Sequence, residues 1–185
     1  NSTNSTNSTN STNSTNSTNP TNPMNPTNPT TIGILSDTHG LLRPEVEQAL
    51  SGCQYILHAG DVGDEQVLAR LGRIAPVIAV RGNMDHDLWA HSLPINEMVE
   101  LEGIFFYILH DLYQLDLEPS AAGIDVVVSG HTHQPKIFKK NGVTYLNPGS
   151  AGHRRFNYPV SIARVRIENG ATTSRIVEIG SVITS

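Results

Sequence analysis

The chain has 185 residues and a formal net charge of −5. Its basic residues are scattered apart from short pairs such as Lys139-Lys140 and Arg154-Arg155, so there is no strong nucleic-acid signal. The longest apolar stretches, GIFFYIL and IDVVVSG, are far too short to cross a membrane, and a single cysteine, Cys53, excludes an internal disulfide and suits a reducing, cytoplasmic compartment.

Residues 1–30 are Asn, Ser, Thr and Pro with one Met, a mixture that buries almost no apolar area and is expected to form a low-complexity disordered tail. Its Asn-Ser-Thr triplets match the N-glycosylation pattern, with no apolar segment to deliver them to a secretory lumen. The regular repeat reads as an added leader or a start-site extension, with Met24 as a native start. Residues 31–185 then form one domain of roughly 155 residues.

In chain order, TTIGILSDTHG begins with a β-rich run that stops at Asp37-Thr38-His39. RPEVEQALSGC reads as a helix with Pro44 in its first turn, Val46, Ala49 and Leu50 on one face, and Cys53 as a packed thiol at its end. QYILHAGD is a second strand ending in Gly60-Asp61, and His58 within it reads as a packed residue. DEQVLARLGRI is again helical, with Val67, Leu68 and Leu71 inward, and PVIAVRGNMD is a buried strand ending in Gly82-Asn83. Alternating strands and helices with near-continuous apolar strands predict an α/β layered fold with some parallel pairing.

The second half is richer in strands. NEMVELEGIFFYILHD gives two strands around Glu102-Gly103, and GIDVVVSG a third. KIFKKNGVTYLNPGS carries an Asn141-Gly142 hairpin signal, and VSIARVRIENGATTSRIVEI an Asn169-Gly170 signal. In the last pair Ile162, Val165 and Ile167 alternate with Arg164, Arg166 and Glu168, with a slip near Ala163.

Asp37 and His39, Asp61, Asn83, His110, and His131 with His133 all stand where an apolar run gives way to a turn. Ligands of layered α/β folds bind beyond the carboxyl ends of strands. A single polar residue there is usually a turn-former, but two Asp, one Asn and four His at five strand ends point to a cation cluster. The absence of cysteine among them excludes a thiolate site, and mixed imidazole, carboxylate and amide ligands suit Mn, Fe, Co, Ni or Zn rather than Ca. Seven side chains suit two divalent ions sharing a carboxylate, the clamp used for in-line displacement at phosphorus.

The ordered blocks SDTHG, AGD, RGNMD, LHD and SGHTH resemble the calcineurin-like metallophosphoesterases, and LNPGS with Arg155 resembles their small YfcE-type phosphodiesterase branch. The resemblance runs from Thr31 to the C-terminus. It implies a four-layer α/β/β/α sandwich of two mixed sheets flanked by helices. It implies a first ion on Asp37, His39 and His133, a second on Asn83, His110 and His131, and Asp61 bridging them. Manganese is the favoured metal. Asp61, Asn83 and His110 are then catalytic, Asn83 and Arg155 bind phosphate, and Asp85 orients a ligand. The implied reaction is direct attack of a metal-activated water on a small phosphodiester or phosphomonoester, and relatives that are dimers or larger imply a homo-oligomer.

Two positions depart from the pattern. Met84 stands where many relatives have a proton-donating His, leaving His86 or His153 as candidate general acids. Asp111 stands where Gly is common and reads as a surface turn residue, while His91 lies outside the motifs. Trp89 and Tyr113 are loop aromatics, read as packed or as stacking partners for a substrate ring. The alternative function is a metal-stabilised protein-interaction scaffold of the same fold; the retromer subunit that resembles this family is a protein-interaction platform whose metal ligands are partly replaced.

Overall fold

A computed structural model describes residues 28–155 and 157–180, so residues 1–27 of the low-complexity tail lie outside the described residues. Among the described residues ten strands and two α-helices follow one another: β1 (Thr30–Leu35), α1 (Pro44–Leu50), β2 (Tyr55–His58), α2 (Glu65–Leu71), β3 (Val77–Ala79), β4 (Asn96–Leu101), β5 (Ile104–Leu109), β6 (Val126–Val128), β7 (Lys136–Lys140), β8 (Val143–Asn147), β9 (Ser161–Glu168) and β10 (Ala171–Glu178).

The strands form two five-stranded mixed sheets, ordered β10-β9-β1-β2-β3 and β4-β5-β6-β8-β7. In the first, β1, β2 and β3 run parallel and β9 returns antiparallel beside β1. In the second, β5, β6 and β8 are parallel, with β4 and β7 antiparallel at the edges. Short connections suffice for the antiparallel pairs, and α1 and α2 carry the parallel crossovers of the first sheet.

The main core lies between the sheets, where Ile32, Ile34, Leu57 and Val165 of one meet Phe106, Ile108, Val126 and Leu146 of the other. Full burial of a side chain such as Phe106 contributes roughly 2–3 kcal/mol. Leu35 and Ile56 point the opposite way, under Val46 and Leu50 of α1 and Val67 and Leu71 of α2. Coverage on both faces is why these strands read as unbroken apolar runs. The outer face of the second sheet, with Tyr107, Val127 and Tyr145, packs against Ile124, Leu112, Leu115 and Leu117. The outermost layer there is a single 3-10 turn, Leu112–Gln114, and its flanking segments, thinner than the helical layer the resemblance implies.

The helix ends draw on both local and distant partners. Asp64 caps α2 by accepting from the Gln66 N–H at 2.8 Å, and Pro44 opens α1 where its missing N–H costs nothing. The Arg164 guanidinium donates to the Ala49 carbonyl at 2.8 Å, supplying from β9 the cation that the last turn of α1 lacks. The slip expected near Ala163 is absent: β9 pairs without interruption with β10 from Ser161 to Glu168. Ile162 faces the helices while Ala163, Val165 and Ile167 face the other sheet, so the strand is regular and simply buried on both sides at its start.

Candidate metal centre

The loops after β1, β2, β3, β5 and β6 converge at one end of the two sheets. The first two are zipped together by main-chain bonds, from Asp37 N–H to Gly60 O at 3.0 Å, His39 N–H to Asp61 O at 2.9 Å and Gly40 N–H to Val62 O at 2.8 Å. Asp37, His39, Asp61, His131 and His133 all hold positive φ, between 46° and 66°. Left-handed backbone at a non-glycine residue costs on the order of 1 kcal/mol and persists only where surrounding contacts impose it, which makes five such residues in one place a functional signature.

Close approach also dictates two glycines. A Cβ on Gly82 would collide with the carboxylate and backbone nitrogen of Asp61, and one on Gly130 with the hydroxyl of Ser36 and the carboxylate of Asp37. These contacts let the loops after β3 and β6 close down on the two aspartates.

Asp37 is fully buried. Its Oδ2 accepts from the Ser36 hydroxyl at 2.7 Å and the His131 N–H at 3.2 Å, while Oδ1 has no hydrogen-bond partner and faces His133 Nε2 at 3.2 Å and His39 Nε2 at 3.9 Å. Asp61 accepts from the Met84 N–H at 2.8 Å through Oδ1 and turns Oδ2 to His110 Nε2 at 3.4 Å and His39 Nε2 at 3.9 Å. His110 Nδ1 lies 2.8 Å from the Ala59 carbonyl. A carbonyl can only accept, so Nδ1 carries the hydrogen and the Nε2 lone pair points into the site. His131 Nδ1 and Asn83 Oδ1 lie 3.0 Å apart, and the His131 ring meets His110 edge-on at 5.3 Å.

Among the described residues, two groups each bring their candidate ligand atoms within 4.8 Å of one another: Asp37, His39 and His133, and Asp37, Asp61 and His110. The first is the trio named from sequence. Asp37 belongs to both sets and Asp61 to the second. His131 belongs to neither set; it pairs with Asn83 and stands beside His110. These residues fit divalent cations: Asp37 Oδ1, His39 Nε2 and His110 Nε2 are buried and unpartnered. Neighbouring ligands on one cation, with bonds of about 2.1 Å, stand about 3 Å apart.

Charge couples the groups. Burial opposes ionisation of Asp61, but the adjacent His110 imidazole, the Met84 N–H and His39 outweigh it and hold the carboxyl below its usual value. Burial likewise disfavours the His110 cation, yet the Asp61 carboxylate prevails and raises that imidazole. His39 is lowered, first by burial and further by Arg155, against the pull of Asp61 and Asp37. That influence places the exposed Arg155 within electrostatic reach of the site.

Asp85 is nearly buried and accepts three main-chain N–H groups, from Val62 at 3.1 Å, Gly63 at 2.8 Å and Gly82 at 2.8 Å. It thereby clamps the Asp61 loop to the Asn83 loop. A cavity of about 300 Å³ opens beside Asn83 and His110, walled also by Arg81, His86, His91 and Asp111. His86 therefore stands at the site, whereas His153 is exposed and contributes a backbone carbonyl to the Ser150 hydroxyl. Met84 is 55% exposed beside Asn83. Asp111 is a turn residue, accepting from the Tyr113 N–H at 3.0 Å, and Trp89 packs into the helix-side core rather than standing free, while Tyr113 is exposed. No sequence signal marks Arg81, and His91 lies outside the motifs; both flank the Gly82-Asn83 turn and its following loop, and only their shared wall with His110 marks them.

A model of the calcineurin-like phosphoesterase superfamily domain matches residues 31–170. A protein of Methanothermobacter thermautotrophicus named "Probable metallophosphoesterase" is 35% identical over 162 residues, spanning 81% of this chain and 93% of its own length. Phosphodiesterase YfcE of Escherichia coli is 32% identical over 151 residues, 68% of this chain and 82% of its own. A solved structure of E. coli YfcE aligns over 81% of this chain and 100% of its own with a TM-score of 0.58 and 26% identity. Vacuolar Protein Sorting 29 from Cryptosporidium parvum shares the fold, with a TM-score of 0.66 at 20% identity over 82% of this chain and 98% of its own.

Proposed function

The chain belongs to the calcineurin-like phosphoesterase superfamily, and from that premise we propose that it is a phosphoester hydrolase dependent on two divalent metal ions. The carrying observation is the convergence of two buried carboxylates with histidine nitrogens that have no hydrogen-bond partner. Asp37, His39 and His133 would hold one ion, Asn83, His110 and His131 the other, with Asp61 between them. Such ions, of which manganese is the favoured one, would supply Lewis acidity toward phosphoryl oxygens and lower the pKa of water.

The protein's own part is positioning. The Ala59 carbonyl fixes the tautomer of His110, and the Met84 N–H and His110 keep Asp61 ionised. Asn83, anchored by His131, and Arg155 would offer donors that offset the charge of the phosphoryl group. Met84 has no proton to give, so the leaving oxygen must draw one from solvent or from His86 in the adjoining cavity. Activated leaving groups are therefore favoured, and diesters are the preferred class, as in the relatives named phosphodiesterases. The setting proposed is cytoplasmic, with a small phosphoester as substrate and a homo-oligomer as the working form. No helix among the described residues is long and apolar enough to cross a membrane.

The fold likeness to Vacuolar Protein Sorting 29 supports a second reading, a metal-stabilised interaction scaffold. Chelator-stripped protein reloaded with manganese separates the two. Hydrolysis of bis-p-nitrophenyl phosphate that EDTA abolishes and Asp61→Asn removes is expected. Bound metal without turnover above the Asp61→Asn variant would favour the scaffold, and no bound metal would refute both.

A further inference from the structure

His58 ends β2, three residues before Asp61, and exposes none of its surface. Neither proposed ion takes it as a ligand. Its Nε2 lies 2.9 Å from the Thr38 hydroxyl, and that hydroxyl lies 2.9 Å from the Val62 carbonyl. The carbonyl can only accept, so the single hydroxyl hydrogen of Thr38 is committed to Val62. The Thr38 oxygen must then accept from His58, which places the ring hydrogen on Nε2 and leaves Nδ1 as a bare, unpartnered lone pair. The opposite tautomer would bury an N–H donor without a partner and strip Val62 of the Thr38 bond, the costlier arrangement.

The resulting relay runs from His58 Nε2–H to Thr38 Oγ–H to the Val62 carbonyl. Thr38 sits between Asp37 and His39, and Val62 follows Asp61, so the relay joins the two loops that carry three site residues in left-handed backbone. We propose that His58 is a positioning residue for the metal centre, holding the Asp37–His39 loop in register with the Asp61 loop through Thr38. The inference rests on the reading of this site as a metal centre. Burial, opposed mainly by Asp85, Asp37 and Asp61 and reinforced by His110, depresses the imidazole to about 4, so the neutral donor persists at neutral pH.

The test uses the full chain, stripped of metal and titrated with manganese by calorimetry. His58→Leu and Thr38→Val should each weaken manganese binding about 10–100-fold. His58→Gln, whose amide nitrogen can stand where Nε2 does, and Thr38→Ser should stay within about 3-fold of the parent. The double variant His58→Leu/Thr38→Val should lose no more than either single, because one relay is broken once. Long-range nitrogen–proton spectra of the metal-free parent should show His58 protonated at Nε2. Parent-like manganese affinity in both His58→Leu and Thr38→Val, equal loss in Gln and Leu, or an Nδ1–H tautomer would overturn the proposal while leaving the metal reading intact. A parent chain that takes up no manganese would overturn both. Should His58→Leu not fold, Thr38→Val and the tautomer measurement decide alone.

Discussion

Asp85 offers a quantitative check on how the site is held together. Its carboxylate receives three main-chain N–H groups in a nearly buried setting, two on Oδ2 and one on Oδ1. Truncation to Ala would orphan all three. An unsatisfied buried donor costs about 1–3 kcal/mol, but the Gly63 amide lies at an exposed residue that water can reach, which brings the expected total to about 3–5 kcal/mol. Asn keeps an acceptor for one side of the clamp and turns an N–H₂ against the other, so about 1.5–3 kcal/mol is expected. Against a total stability of roughly 5–15 kcal/mol, both variants should fold, the Ala protein melting about 10 °C lower. Urea unfolding of metal-free protein should rank parent, Asn and Ala in that order with unchanged slope. Manganese affinity should fall about 10–100-fold in parallel, since the clamp joins the Asp61 and Asn83 loops. A loss below about 1 kcal/mol in the Ala variant with parent-like metal affinity would refute the clamp.

Three further outcomes follow from other features. Gly82→Ala drives a methyl group into Asp61 and should cost about 100-fold in kcat/KM, measured on the manganese-loaded protein, with the fold retained by circular dichroism. In metal-free protein His58 alone should contribute a loss of about 3 kcal/mol as pH falls from 6.5 to 4: it stays neutral when folded, to about 4, but takes a proton near 6.5 when unfolded, so the unfolded state binds more protons at this residue across that window. Urea titrations should show a flatter dependence in His58→Gln over the same window; an unchanged slope would contradict the assignment. Gly142→Ala should destabilise by about 1–2 kcal/mol in thermal melts although its Cβ would touch nothing, because φ at this turn residue is 82°.

Much of this molecule was legible as pattern. The Asn141-Gly142 and Asn169-Gly170 pairs mark two-residue turns because both positions need positive φ, and both hairpins form there. Apolar runs ending in Asp, Asn or His announced a shared end of the sheets, since a strand's last residue must leave the core where the chain turns. Periodicity failed where a strand is buried on both faces: Ile162 looked out of step only because the helix-side core also needed a residue. The thin layer over the second sheet was likewise beyond sequence, because Leu112, Leu115 and Leu117 cover it from a largely irregular segment with no helical repeat to read.

Sequence by itself determined which side chains have the chemistry to gather cations, and that they stand at strand ends. Tertiary structure alone decided how they meet: Asp37 belongs to both ligand sets, Asp85 and His58 work through main-chain and hydroxyl partners, and Gly82 and Gly130 admit their aspartates by lacking a Cβ. Hydrogen bonds to the backbone and space left for a neighbour depend on where distant segments come to rest, and neither leaves a mark in the order of the letters.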